Sequence, residues 1–231
     1  MSNFNTIVSR LRSLANPKNV EGMARFGIRS KKAYGIGAGT LRGIGKEIGH
    51  DHALAGQLWK TGVLEARILA ALVDEPAKVT EQQMERWVRD FDNWAVCDGC
   101  CGVLFDKTPF AWNKAIEWSK RKEEFVKRAG YVLMAELAVH DKKASDAQFV
   151  RFLPHIKRGA TDGRNFVKKA VNWALRQIGK RNNRLNRLAI KTASEIHAMD
   201  SSSAKWVASD ALRELSGRVV DQRLRGKPNK G

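Results

Sequence analysis

Trp94 and Asp98 stand four residues apart in DNWAVCDGCCGVLF (92–105), so on a helix both project from one face. A carboxylate beside an indole is a pair that can stabilise developing positive charge. The same stretch holds all three cysteines, Cys97, Cys100 and Cys101. A thiol cluster raises a second chemistry, metal binding. A structural zinc site needs four ligands, however, and no second Cys pair exists; the five histidines are scattered, with only His50 and His52 close together. At helical spacing i, i+3, i+4, continued by Leu104, the cysteines read instead as a core stripe of small, soft side chains. No metal and no cofactor is expected. Asp98 lies at the edge of that stripe, where it needs either an ion-pair partner in a neighbouring helix or a chemical purpose.

A glycine-rich stretch, YGIGAGTLRGIGKEIG (34–49), matches neither G-x-G-x-x-G nor the P-loop pattern, and no strand precedes it. It reads as a loop leading into a helix near Leu41.

The elements that position these residues are helical. Apolar periods of helical spacing run throughout, with no convincing strand alternation. Pro17, Pro76, Pro109, Pro154 and Pro228 all fall where such a period starts or stops. Four segments resemble one another: VLEARILAALV (63–73), EEFVKRAGYVLMAEL (123–137), RNFVKKAVNWALRQI (164–178) and AKWVASDALREL (204–215). Aligning them, with the Cys97 region between, pairs Arg67, Cys97, Arg128, Lys169 and Ala208 at offsets of 30, 31, 41 and 39 residues. These are helical-pair periods. The expected fold is all-α, a curved solenoid of HEAT-like antiparallel helix pairs with a concave basic groove, forming a single domain over 1–224 with a short basic tail at 225–231. An irregular helical bundle is the alternative.

The net charge of +18 in 231 residues points to a polyanionic partner, nucleic acid first and an anionic membrane surface second. Generic solubility is the plain alternative. Equivalent positions of successive repeats share a face, which predicts that Arg128 and Lys169 point the same way. Arg164, Lys168, Arg176, Lys180 and Arg181 extend that basic region, which suits a duplex phosphate backbone. Trp173 sits one turn beyond Lys169 and could share its side. No apolar run approaches the roughly 20 residues of a bilayer span, and no signal-peptide pattern opens the chain, so a cytoplasmic protein is expected; a groove that holds duplex DNA works as a monomer, which is the expected state.

Taken together, MARFGI (23–28), QLWKTGVLEARILAALVD (57–74), the Trp-x-x-x-Asp of NWAVCD (93–98), KRAG (127–130) and KKAVNWALRQIGK (168–180) resemble the AlkD-like DNA alkylation repair family, the HEAT-like repeat DNA glycosylases. The resemblance runs from about Met23 to Leu215. It implies a monofunctional glycosylase that hydrolyses the N-glycosidic bond of cationic alkylated purines (3-methyladenine, 7-methylguanine) in double-stranded DNA, for base excision repair. By the same resemblance Asp98 is the catalytic carboxylate, Trp94 and Trp173 pack against the lesion's sugar and backbone, and Arg128 contacts phosphate. Phe26 is a further contact, at a place where the family often uses tyrosine. Ala95 replaces a second acidic residue found in other members. The alternative is a non-catalytic helical-repeat protein that binds nucleic acid.

Overall fold

In the computed structural model, residues 3–225 are described apart from positions 29 and 31. They contain fifteen α-helices and no strand. Contacts divide the chain at Phe110/Ala111 into two compact units. The expected basic tail lies outside the described residues from position 226 onward; the last helix runs to Arg225.

The N-terminal unit carries α1 (Phe4–Ser13), α2 (Pro17–Arg25), α3 (Ala38–Ile48), α4 (His52–Lys60), α5 (Leu64–Val73), α6 (Glu81–Arg89) and α7 (Trp94–Val103). α5 is the hub of the unit: α3, α4 and α7 all pack on it. Its apolar side, Leu64, Ala66, Leu69, Ala70 and Val73, is buried, as the apolar run of its sequence requires. Of the glycine-rich stretch only 34–37 is loop; the helix expected near Leu41 starts earlier, at Ala38, and α3 takes up most of the rest.

That loop is fixed by a buried carboxylate that sequence reading does not find. Glu65, 0% exposed, accepts from the backbone N–H groups of Tyr34 (2.8 Å), Gly35 (2.6 Å) and Ile36 (3.3 Å). Such charge-assisted bonds are worth about 1.5–3 kcal/mol each, enough to hold an extended loop against an adjacent helix. Gly35 is required there: its φ is +74°, and a Cβ would stand 2.3 Å from the Asn16 carbonyl oxygen. The Asn16 N–H in turn donates to the Tyr34 carbonyl at 2.6 Å, which ties α2 to the same loop.

The C-terminal unit carries α8 (Ala111–Trp118), α9 (Glu124–His140), α10 (Asp146–Val150), α11 (Leu153–Gly159), α12 (Asn165–Gly179), α13 (Asn183–His197), α14 (Ser202–Leu215) and α15 (Arg218–Arg225). α8 pairs with α9, α11 with α12, and α13 with α14, while α9, α12 and α14 lie side by side. The repeated segments at 63–73, 123–137, 164–178 and 204–215 correspond to α5, α9, α12 and α14. The repeat seen in the sequence is therefore the repeat of helix pairs. Close packing within a pair depends on small residues: a Cβ on Gly130 of α9 would stand 2.4 Å from the Ser119 backbone nitrogen, just beyond the end of α8.

Candidate nucleic-acid interface

Asn93 sets the start of α7. Its side chain, completely buried, accepts from the Val96 N–H at 3.1 Å, a cap worth about 1 kcal/mol. Trp94 is then the first helical residue, and Asp98 follows one turn later. Val96, Cys97, Cys100 and Cys101 turn into the core. The open side of the helix carries Trp94, Ala95, Asp98, Gly99 and Gly102, all half-buried. A Cβ at Gly99 would meet nothing within 4 Å, so small residues leave space beside Asp98.

The cysteines pack as their spacing predicts: all three are free thiols at no more than 1% exposure. Burial pushes the Cys100 and Cys101 thiols well above the ordinary value, and the nearby Asp98 carboxylate adds to the rise at Cys101. Neutral thiols are poor metal ligands and poor nucleophiles.

Trp94 is oriented by a distant partner. Its indole Nε1 donates to the Phe26 carbonyl oxygen at 2.8 Å. Phe26 caps the C-terminus of α2 and leaves its ring 73% exposed, so the unit presents an open aromatic next to the Trp94/Asp98 helix. The backbone of Phe26, more than its ring, makes the bond, so the missing tyrosine hydroxyl is not needed for it.

In the C-terminal unit the expected basic residues fall into two classes. Lys169 is exposed and makes no ion pair among the described residues; Trp173, one turn on, is half-buried on the same side of α12. Lys168 stands over the Trp206 ring, 4.9 Å from its centroid, and Trp206 is itself 42% exposed. These groups form an open basic and aromatic surface. The others are engaged in the fold. Arg164 donates to Asp162 from Nε (2.9 Å) and Nη2 (2.7 Å) and to the Lys122 carbonyl (2.7 Å). Arg176 pairs with Glu214 and, at 3.8 Å, with Asp210. Arg181 donates to the Ala138 carbonyl at 2.7 Å.

Arg128 and Lys169, paired by the repeat alignment, differ in exposure and in partners. Arg128 is 7% exposed and donates from Nη1 to the Phe166 carbonyl at 2.6 Å, joining α9 to α12. Likewise the aligned Cys97 is buried while its neighbour Asp98 faces outward. A slip of one residue in a degenerate alignment turns a side chain by roughly 100° about the helix axis.

Sequence reading also passed over Asp162, around which this unit's cations are organised. It pairs with Arg164 and with Lys127 (2.8 Å), and its carbonyl accepts from the Ser203 hydroxyl (2.7 Å). The Arg164 hydrogen bonds, with help from Lys127, hold its carboxyl well below the usual carboxylate range, against an opposing push from burial. The Asp-x-Arg spacing of 162 and 164 was the available signal.

Stacked helix pairs, with a carboxylate and an indole on α7 in one unit and an open basic and aromatic surface in the other, define a HEAT-like repeat protein. The comparisons agree. A solved protein described as one of a new family related to the HEAT-like repeat DNA glycosylases, with affinity for branched DNA structures, superposes with a TM-score of 0.80 at 18% identity, covering 100% of this chain and 99% of that one. An uncharacterized protein of Listeria innocua is 23% identical over 200 residues, 85% of this chain and 87% of its own. The family model described as DNA alkylation repair enzyme matches residues 7–215. The chain belongs to the DNA alkylation repair enzyme family.

Proposed function

We propose that this protein is a monofunctional DNA glycosylase that releases cationic alkylated purines, 3-methyladenine and 7-methylguanine, from duplex DNA, acting as a cytoplasmic monomer. The observation that carries the reading is Asp98, half-buried one helical turn after an oriented Trp94, with space beside it at Gly99. A purine alkylated at N3 or N7 is already positively charged, so it leaves from C1′ with the electrons of the glycosidic bond and becomes neutral. The deoxyribose then carries the positive charge as an oxocarbenium ion. The Asp98 carboxylate stabilises that ion and orients the water that attacks C1′, whose proton passes to the carboxylate or to solvent. The Trp94 face adds cation–π attraction, and Trp173 is a further aromatic for the DNA backbone on the C-terminal unit. Ala95 leaves Asp98 as the single carboxylate on this turn. Lys168 and Lys169 contact backbone phosphates. Arg164 and Arg176, held by Asp162, Glu214 and Asp210, act by supporting the helix that carries the two lysines, and Arg128 by fixing α12 against α9. Phe26 supplies an apolar contact.

The relative with affinity for branched DNA structures favours a second reading, a DNA-binding protein without catalysis. Duplex containing 7-methylguanine, incubated with the wild type and with Asp98→Asn, separates the two. Release by the wild type alone supports the glycosylase; equal release by both removes Asp98 from the mechanism. Tight binding of duplex or branched DNA with no base released from any lesion selects the second reading.

A further inference from the structure

The N-terminal unit contains a cleft of about 370 Å³ between α4 and α6, whose lining includes Lys60, Arg67, Arg86, His52 and the edges of Trp59 and Trp87. Neither Asp98 nor Trp94 lines it. Its size is at the lower end of small-molecule sites, which span roughly 300–1,000 Å³.

Its charge is unbalanced. The one carboxylate at the surface of the cleft, Asp90, is divided between the Trp59 indole Nε1 (2.8 Å) and the Arg67 guanidinium (3.5 Å). Arg67 also donates from Nη1 to the Asp90 carbonyl (3.0 Å) and lies over the Trp59 ring, 5.3 Å from its centroid. Its Nε is nevertheless buried without a hydrogen-bond partner. Lys60 and Arg86 are exposed and make no ion pair among the described residues. Behind the lining, Asp74 holds His52 Nδ1 (2.6 Å) and Gln83 Nε2 (2.6 Å). That bond leaves the second ring nitrogen of His52 unused. Three cations, of which only Arg67 is held in place, thus line the cleft with one carboxylate, Asp90.

The aromatic groups limit what the cleft can read. Trp59 and Trp87 stack on each other, centroids 3.9 Å apart at 4°, so each spends a face on the other. A base cannot enter that stack. What remains is charge recognition: the guanidinium fork of Arg86 and the ammonium of Lys60 suit the oxygens of a phosphate, with the Arg67 charge behind them.

We propose that this cleft binds the phosphate group of a nucleotide or of a DNA strand, whatever base it carries. The inference does not rest on the glycosylase reading, and base release is not its measure. The test is calorimetry on the full chain at low salt with inorganic phosphate, dAMP, deoxyadenosine and a short single-stranded oligonucleotide as probes. The comparison is the wild type against a combined Lys60→Gln and Arg86→Gln variant, both exposed positions, with a thermal melt to confirm folding. The expected result is binding of dAMP but not of deoxyadenosine, weakened at least tenfold in the variant. Inorganic phosphate that competes with dAMP identifies a free phosphate or nucleotide as the ligand; loss confined to the oligonucleotide identifies a strand phosphate. Absence of binding by every probe, unchanged affinity in the variant, or deoxyadenosine binding as tightly as dAMP would overturn the proposal. Should the variant fail to fold, Arg86→Lys, which keeps the charge but loses the fork, must still weaken phosphate binding.

Discussion

The indole Nε1 of Trp94 donates to the carbonyl oxygen of Phe26 at 2.8 Å, across 68 residues of chain. One hydrogen bond thereby fixes both the aromatic that precedes Asp98 and the C-terminus of α2, where the Phe26 ring stands in solvent. Asn93 sets the start of the helix, and the bond to Phe26 sets the rotation of the indole. The loop held by Glu65 sets the position of α2.

Trp94→Phe keeps an aromatic ring, though a smaller one, and removes that donor. It should lower stability by about 1 kcal/mol, the net worth of one such bond, and speed amide exchange at Gly27 and Ile28. Unchanged exchange in that segment would mean that Trp94 does not hold α2.

Asp162 makes stability depend on pH. Its folded pKa is depressed by Arg164 and Lys127, so its contribution is fully present above the unfolded value near 3.8 and fades as pH falls toward the lower folded one. Asp162→Asn should therefore cost stability at pH 7, and the gap to the wild type should shrink steadily below about pH 4. Denaturant midpoints measured from pH 7 to pH 2 report this directly; a gap that is constant with pH would show that the ion pairs contribute nothing.

The three cysteines give a test of burial. With Cys100 and Cys101 pushed up by burial and Cys97 completely enclosed, the native protein should not react with a thiol-specific disulfide reagent. All three thiols should titrate once guanidinium unfolds the chain. Rapid labelling of even one thiol in the native state would place the Cys97–Cys101 face on the surface and reopen the reading of α7.

The repeat architecture was legible because apolar spacing is local: each segment at 63–73, 123–137, 164–178 and 204–215 shows the buried side of its own helix. The outward placement of Asp98 was legible for the same reason, once the cysteines were assigned to the core. Side-chain engagement was not. Arg176 meets Glu214 38 residues away, and Arg128 meets the Phe166 carbonyl at the same separation. Partners at that distance are set by how one helix pair lies on the next, and no spacing within a segment encodes it. Glu65 escaped notice because it sits in an apolar run as a carboxylate whose partners are backbone N–H groups, which carry no sequence signal.

The two classes of cation in the C-terminal unit should separate in the salt dependence of DNA binding. Lys169 is exposed and makes no ion pair among the described residues, so a phosphate it contacts releases a counterion without breaking anything in the protein. Arg176 must first leave Glu214 and Asp210, whose charges cancel most of the field it offers. Lys169→Gln should lower the slope of log K against log salt by about 1, with little change in the melting temperature. Arg176→Gln should leave that slope nearly unchanged and lower the melting temperature instead. Fluorescence anisotropy on one duplex at several salt concentrations decides it. If both variants flatten the slope equally, the ion pairs open on binding and Arg176 belongs with Lys169 in the DNA interface.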